Sequence, residues 1–142
     1  MARTDTKLDH LSRVPLFSAL SKKELQHLGR TSDEVGVAEG KVLCQEGKPG
    51  HEFFLILEGE AHVKKGKKTV AKLKAGQYFG EMSLLDSGPR SATVEAGTDM
   101  EVLVIGQREF AGILEQLPGV ARKLLAAMAA RLRDADAKAY SH

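Results

Sequence analysis

Residues 79–94 have the sequence FGEMSLLDSGPRSATV. A carboxylate, Glu81, and a cation, Arg90, lie here beside apolar residues of the kind that form a protein core. Glu81 follows a glycine and precedes a short apolar run. Arg90 follows the turn signal Gly88-Pro89 and stands directly before a small, β-prone stretch. Two charges in this setting serve either the fold, as an ion pair, or a bound ligand.

The residue types around these two charges fit a phosphorylated ligand that also carries a hydroxyl group. Gly80 allows the main chain to approach a ligand closely, and one helical turn at residues 81–85 would present free N–H groups to an anion. The planar guanidinium of Arg90 can hold two phosphate oxygens at once. The Glu81 carboxylate can accept a hydrogen bond from a neutral hydroxyl such as a ribose 2′-OH. This chemistry indicates a nucleotide of small negative charge.

A structural ion pair between Glu81 and Arg90 is the alternative interpretation. A buried pair costs stability unless its geometry is good, and an exposed pair contributes little. Because short motifs also occur by chance, spacing and chemistry alone leave both interpretations open.

The composition of the 142-residue chain is that of a soluble globular domain, with 42% hydrophobic and 28% charged residues. Its net charge of +2 is too small to indicate a nucleic-acid-binding surface by itself. The N-terminus has no apolar signal core, and the longest strongly apolar run, residues 53–57, is far shorter than the ~20 residues of a membrane helix. We therefore expect one domain over residues 1–142, located in the cytoplasm and not in a membrane.

Apolar residues recur at helical spacing at both ends of the chain. Helices are expected in residues 8–29, where Ser21 and Glu24 have the spacing of a capping box and Gly29 is the expected stop. Two more helices, separated by a Pro-Gly pair, are expected in residues 107–138. The second of these carries an apolar stripe, typical of a core or dimer contact, formed by Val120, Leu124, Leu125, Met128 and Leu132.

Residues 35–105 contain short apolar runs separated by glycines. This spacing favours a sandwich, a jelly roll or a small barrel, in which Gly47 and Gly59 could lie at bends or corners. The whole pattern predicts a mainly β fold with flanking helices. The last five residues, KAYSH, are polar and are expected to fray.

No group of residues in the sequence indicates catalysis or a metal site. Cys44, the one cysteine, has no histidine near it in sequence and is expected to pack in the core. Metal-binding cupins usually show two histidines separated by one residue and followed by a carboxylate, whereas His51 stands alone and His62 is distant. We expect a protein without enzymatic activity and without a bound metal.

The sequence resembles the cyclic nucleotide-binding domain family, of the catabolite activator protein and protein kinase regulatory subunit type. FGEMSLLDSGPRSATV is similar to its phosphate-binding cassette, VPLFSALSKKELQHL to its N-terminal helical bundle, and GKVLCQEGKPGHEFFLILEGEAHV to its early strands. The resemblance covers about residues 8–133. It implies a β-roll, a jelly-roll-like barrel, with an N-terminal helical bundle and two C-terminal helices.

The resemblance also implies roles for individual residues. Glu81 matches the glutamate that accepts the ribose 2′-hydroxyl, Arg90 matches the arginine that neutralises the cyclic phosphate, and Ser91 can touch phosphate or base. Leu84 and Phe110 match a leucine and an aromatic residue that repack together when ligand binds. In the family, backbone N–H groups surround the phosphate and the ribose. The matching positions in this sequence are Gly80, Met82, Ser83 and Ala92.

The family's final helix folds over the base of the ligand, and Met128, Arg131 and Leu132 are the candidates for the side chain that caps it. Arg131 could stack on a purine as a planar cation. A hydroxyl at position 91 can help to read a guanine, but a serine there also occurs in cAMP-binding members of the family, so Ser91 leaves the base undecided. We favour cAMP and keep cGMP open. We expect no cofactor other than this ligand.

The partner predictions depend on the sequence after the final helix. No helix-turn-helix comes after it, so we expect a stand-alone sensor without direct DNA binding that acts on a protein effector in trans. The apolar stripe through Leu124, Met128 and Leu132 suggests a homodimer through the C-terminal helix. The alternative function is a degenerate domain that binds no ligand and serves as a dimerisation or docking module.

Overall fold

A computed structural model describes residues 2–139 of the chain, with side chains for residues 7–139. Contacts within the chain define two compact units: a roll unit, Arg30–Ala111, and a helical unit made of Met1–Gly29 and Gly112–His142. The α-helices are α1 (Ala2–Ser12), α2 (Lys22–Thr31), α3 (Gln107–Gln116) and α4 (Pro118–Ala139), and short 3-10 turns lie at Pro15–Phe17 and Glu81–Leu84. The strands are β1 (Asp33–Val37), β2 (Val42–Cys44), β3 (Glu52–Glu58), β4 (Glu60–Lys65), β5 (Lys68–Lys74), β6 (Tyr78–Phe79), β7 (Thr93–Ala96) and β8 (Met100–Gly106).

The roll unit consists of two antiparallel four-stranded sheets. One sheet has the strand order β1-β8-β3-β6 and the other has the order β2-β7-β4-β5. Apart from the β4–β5 hairpin, neighbours in each sheet are not consecutive in sequence, and pairings such as β3 with β8 close the roll. The predicted fold class, mainly β with helices before and after the strands, is what the structure has.

Alternating burial along the strands creates one core inside the roll. β7 alternates half-buried and buried residues, which is the period of a strand with one face in the core. Each large apolar side chain removed from water contributes roughly 1.5–3 kcal/mol. The buried members of this core are Val37, Phe54, Ile56, Ala61, Val94, Ala96, Met100 and Val102.

The helical unit contains the predicted capping box at the start of α2. The Ser21 amide donates to the Glu24 carboxylate at 2.8 Å, and the Glu24 amide donates to the Ser21 hydroxyl at 3.1 Å. The prediction that α2 stops at Gly29 is wrong, because the helix continues to Thr31. A Cβ at Gly29 would lie 3.3 Å from the Leu8 side chain, so this buried glycine serves close packing.

The apolar stripe of α4 is buried only at its beginning. Val120 and Leu124 are buried, whereas Leu125 and Leu132 are 67% and 68% exposed. Leu125 lies about 100° around the helix from Leu124, and residues 130–139 are all exposed. The predicted fraying of KAYSH concerns mainly residues 140–142, which lie outside the described residues.

Substitutions at two glycines test the backbone geometry of the roll. Gly40 and Gly59 have similar positive φ values of 90° and 94°. A Cβ at Gly40 meets nothing within 4 Å, but at Gly59 it would lie 2.5 Å from the Asp99 carbonyl oxygen. Gly40→Ala should therefore cost about 1 kcal/mol of backbone strain, and Gly59→Ala roughly 3 kcal/mol because overlap is added. Urea unfolding measures both, and equal losses would contradict this account.

Acid should weaken the helical unit through one carboxylate. Lys123 Nζ donates to Glu24 Oε1 at 2.6 Å, and this bond, with that from the Ser21 amide, holds the pKa of Glu24 below its usual value of 4.5. A lowered pKa contributes stability that is present at neutral pH and is lost as the pH falls through that pKa.

Glu24→Gln should lower the free energy of unfolding by about 1 kcal/mol at pH 7. The difference from wild type should shrink steadily as the pH falls below 4.5. In a Lys123→Gln background the same substitution should cost much less, because the partner is gone. Chemical denaturation between pH 7 and pH 3 measures this, and a pH-independent difference would contradict it.

Candidate functional site

A cavity of about 310 Å³ lies in the roll unit, and residues from both sides of the 84–89 turn line it. The predicted ligand-binding residues Gly80, Glu81, Met82, Ser83, Arg90, Ser91 and Ala92 all line this cavity. The rest of its wall is formed by Cys44, Val63, Phe79, Pro89 and Val94. The structure thus brings together the residues that the sequence placed in one motif.

The main chain on both sides of Arg90 is fixed by the loop that precedes β3. The Arg90 amide donates to the Lys48 carbonyl at 2.8 Å, and the Arg90 carbonyl accepts from the Gly47 amide at 2.9 Å. Pro49 and Pro89 form an isolated antiparallel bridge beside them. The arginine therefore enters the cavity from a backbone position that two chain segments define.

The guanidinium of Arg90 is held between two glycines. Its Nη2 donates to the Glu52 carbonyl at 2.8 Å. A Cβ at Gly80 would overlap Arg90 Nη1, and a Cβ at Gly50 would overlap Arg90 Nε and lie 2.6 Å from Ser83 Oγ. Gly80 also has a φ of 82°, in the left-handed region that favours glycine. In this structure the space above Gly80 is filled by Arg90.

Gly50 is a site residue that the sequence reasoning missed. The available signal was the short spacing of Gly47 and Gly50 in EGKPG, directly before β3. That spacing predicts a turn, but it does not show that an arginine 40 residues later would lie against the second glycine.

One donor of Arg90 has no acceptor. Nε is buried and makes no hydrogen bond within the part of the chain that the structure describes. A buried donor without a partner costs about 1–3 kcal/mol, so this nitrogen favours any ligand that brings an anionic oxygen. The same guanidinium is already anchored by Glu52, which leaves Nε and the other edge for such a contact.

Glu81 begins the 3-10 turn Glu81–Leu84, directly after the left-handed Gly80. It is half-buried and lines the cavity, which places a hydrogen-bond acceptor in the same cavity as the Arg90 cation. Within the turn, the Ser83 amide donates to the Gly80 carbonyl at 3.0 Å. The predicted single helical turn at residues 81–85 is thus present.

Cys44 has a place in the cavity wall as well as against the core. Its Sγ lies 3.8 Å from the Ala92 carbonyl oxygen, and the residue packs beside the buried core cluster of the roll. Burial raises the pKa of the Cys44 thiol, while the positive charge of Arg90 opposes that rise.

The remaining predicted residues differ in burial. Leu84 and Phe110 are buried in the roll unit, and Ser91 is exposed at the cavity. Met128, Arg131 and Leu132 belong to the helical unit, where Met128 is half-buried and the other two are exposed. Their role as a base cap stays a prediction.

Metal-ligating side chains do not cluster anywhere in residues 2–139, where no group of three or more of them could hold an ion. None of the helices in the same residues has the length and apolar character required to cross a bilayer.

The fold and the cavity together define a β-roll domain with an arginine and a carboxylate facing one small cavity. The chain belongs to the cyclic nucleotide-binding domain family, whose model matches residues 34–117. The resemblance found in the sequence is thereby confirmed.

Known relatives of the chain are regulatory proteins. The chain is 36% identical over 113 residues to the cAMP-dependent protein kinase regulatory subunit of Hypocrea atroviridis, a match that covers 80% of this chain and 24% of that protein. The N-terminal domain of a transcriptional regulator from Streptomyces coelicolor A3(2) superimposes with a TM-score of 0.86 at 33% identity, covering 94% of this chain and 96% of that one.

A third relative was crystallised with a ligand. The regulatory domain of Toxoplasma gondii PKA with cAMP superimposes with a TM-score of 0.72 at 26% identity, covering 79% of this chain and 44% of that one. The chain spans about a quarter of the length of the kinase regulatory subunits it matches, 24% and 23% for two of them.

The charge of Arg90 should be measurable at Cys44, the one thiol in the chain. Because thiolate is the reactive form, the pH profile of iodoacetamide alkylation reports the pKa of this thiol. Arg90→Leu should move the profile to higher pH, since the positive charge that lowers the pKa is gone. Arg90→Lys keeps the charge and should give a smaller shift. The alkylation rate at the high-pH plateau corrects for any change in reagent access to the thiol. An unchanged midpoint of the pH profile in Arg90→Leu would contradict the placement of Cys44 near Arg90.

Proposed function

We propose that the chain is a regulatory sensor that binds a cyclic nucleotide, with cAMP favoured over cGMP. The observation that carries the proposal is the buried Arg90 Nε without an acceptor, in a cavity that Glu81 also lines. An exocyclic phosphate oxygen would satisfy that nitrogen, and the Glu81 carboxylate would accept the ribose 2′-hydroxyl. Membership of the family supports the same ligand class.

The balance of charge in the cavity favours a cyclic phosphodiester over a phosphomonoester. Among the lining residues, Arg90 is the cation and Glu81 the carboxylate. A cyclic phosphate carries one negative charge, whereas a phosphomonoester carries roughly −1.5 to −2 at neutral pH. The second charge would have no cation in this wall and would face a carboxylate, so AMP should bind more weakly than cAMP.

The preference for cAMP rests on the relatives and on the cavity wall. One relative is named as a cAMP-dependent regulatory subunit and another was crystallised with cAMP. Beyond the phosphate-facing residues, the wall is largely apolar, with Val63, Val94 and Cys44. The exposed Ser91 hydroxyl is the group that could favour guanine, so cGMP is the competing ligand.

The signal would pass from the cavity to the helices through packing. In the proposed mechanism, ligand repacks Leu84 and Phe110, and a side chain of α4 covers the base, with Met128, Arg131 and Leu132 as candidates. The altered helices would then present a different surface to a protein effector in trans. Such coupling must be reciprocal, so the effector changes nucleotide affinity by the same factor, typically worth about 1–3 kcal/mol.

A docking module without ligand is the second candidate. The exposed Leu125 and Leu132 of α4 favour it, because apolar side chains that are two-thirds exposed can form a homodimer contact. Sedimentation analysis that shows a monomer with and without nucleotide would count against this function.

Calorimetric titration with cAMP, cGMP and AMP tests the proposed function directly. We expect binding of cAMP and weaker binding of AMP, and a loss of roughly a hundredfold in cAMP affinity in Arg90→Ala. The matched control is Arg108→Ala, which removes an exposed arginine that does not line this cavity. Bound nucleotide should also raise the stability of the wild type by about 2.7 kcal/mol at a hundredfold excess over Kd. Absence of heat with cAMP and cGMP, or unchanged affinity in Arg90→Ala, would refute the proposal.

A further inference from the structure

Ser83 is a buried serine whose hydroxyl group makes no hydrogen bond to the described part of the protein. It is the buried polar residue of the described chain, with 7% of its surface exposed. Within residues 7–139 its Oγ has no protein hydrogen-bond partner, and, unlike Arg90 Nε, this atom keeps some contact with solvent. Its amide, by contrast, already donates to the Gly80 carbonyl at 3.0 Å. The hydroxyl, which belongs to a residue lining the cavity, is therefore the part of Ser83 left for a ligand.

The unused hydroxyl of Ser83 and the unused donor of Arg90 converge on one place. A Cβ built on Gly50 would lie 2.6 Å from Ser83 Oγ and 2.6 Å from Arg90 Cζ, and it would overlap Arg90 Nε. The two polar groups thus lie together against Gly50 and fill the space where that residue has no side chain. Nε–H is a donor only, whereas a hydroxyl donates one hydrogen bond and accepts others.

We propose that the Ser83 hydroxyl is a binding group for the ligand phosphate, donating its hydrogen bond to an exocyclic phosphate oxygen beside the one that Arg90 Nε–H contacts. This inference rests on the proposed cyclic nucleotide function. It gives both unpaired groups a partner in the complex, because each donates to a phosphate oxygen. Sequence similarity assigned only the backbone amide of Ser83 to the ligand, and that amide closes the turn.

The proposal predicts opposite effects of one substitution on stability and on binding. Ser83→Ala removes a hydroxyl that has no hydrogen bond to the protein in the free state, so stability should stay the same or rise. The same change removes a hydrogen bond to a charged phosphate, so cAMP affinity should fall roughly tenfold or more. A purely structural role for the hydroxyl would lower stability and leave affinity unchanged.

The experiment measures urea unfolding without ligand and calorimetric cAMP binding for wild type, Ser83→Ala and Ser87→Ala. Ser87→Ala is the matched control, because it removes an exposed hydroxyl of the same segment that does not line the cavity. Ser83→Cys keeps the shape of the side chain with a weaker donor, and it should also lose affinity. In an Arg90→Ala background the Ser83→Ala penalty should shrink, because the two groups act together.

The two phosphorothioate diastereomers of cAMP identify the contact. Sulfur replaces one exocyclic oxygen in each, and sulfur is a weak acceptor. The Ser83→Ala penalty should persist with one diastereomer and largely disappear with the other. Equal penalties with both, or wild-type affinity in Ser83→Ala while the wild type binds cAMP, would overturn this inference alone. A wild type that binds neither cAMP nor cGMP would overturn the proposed function together with it.

Discussion

The packing of one half-buried guanidinium between two glycines is the constraint on which the site depends. Arg90 can occupy its position only because neither Gly50 nor Gly80 has a side chain there. A buried donor is costly when it has no acceptor; here Nη2 has the Glu52 carbonyl, whereas the buried Nε has no acceptor among residues 7–139. The free protein therefore carries an unsatisfied group at the place where a phosphate oxygen would remove the cost.

The roll supplies the rigidity that keeps this arrangement in place. Backbone hydrogen bonds join the loop at residues 47–50 to residues 88–90, so both ends of the arginine segment are fixed. On the other side of the cavity, Phe79 stacks on Phe54 with ring centroids 4.9 Å apart, just before the chain turns at Gly80. Because β3 is buried within the sheet and pairs with both β6 and β8, it anchors each of these features.

Each polar group of the cavity would contact a different part of the proposed ligand. Arg90 offers a positive charge, Glu81 offers an acceptor, and Ser83 offers a hydroxyl that can do both. A ligand with one negative charge and one neutral hydroxyl satisfies all three groups. In the proposed complex these groups would be preorganised, since the main chain of each is already held by hydrogen bonds or by the 3-10 turn in the free protein.

Local pattern was enough to predict much of the chain. The capping box at Ser21 and Glu24, the motif in residues 79–94 and the mainly β class follow from residue type and spacing, because these depend on neighbours along the chain. Pattern failed at Gly29, which was predicted as a helix stop and is instead a packing position against Leu8. It also placed Leu125 on one stripe with Leu124, as a core or dimer contact, whereas only Leu124 of the two is buried.

By itself, the sequence determined which residues of one motif would meet at a site and what chemistry they offer. Only the tertiary structure decided that Gly50 makes room for Arg90, that Cys44 joins the cavity wall, and that Ser83 has a spare hydroxyl in place of a spare amide. The reason is physical: side-chain room and unpaired donors are properties of segments that lie 40 residues apart in the chain and come together only when the sheets close.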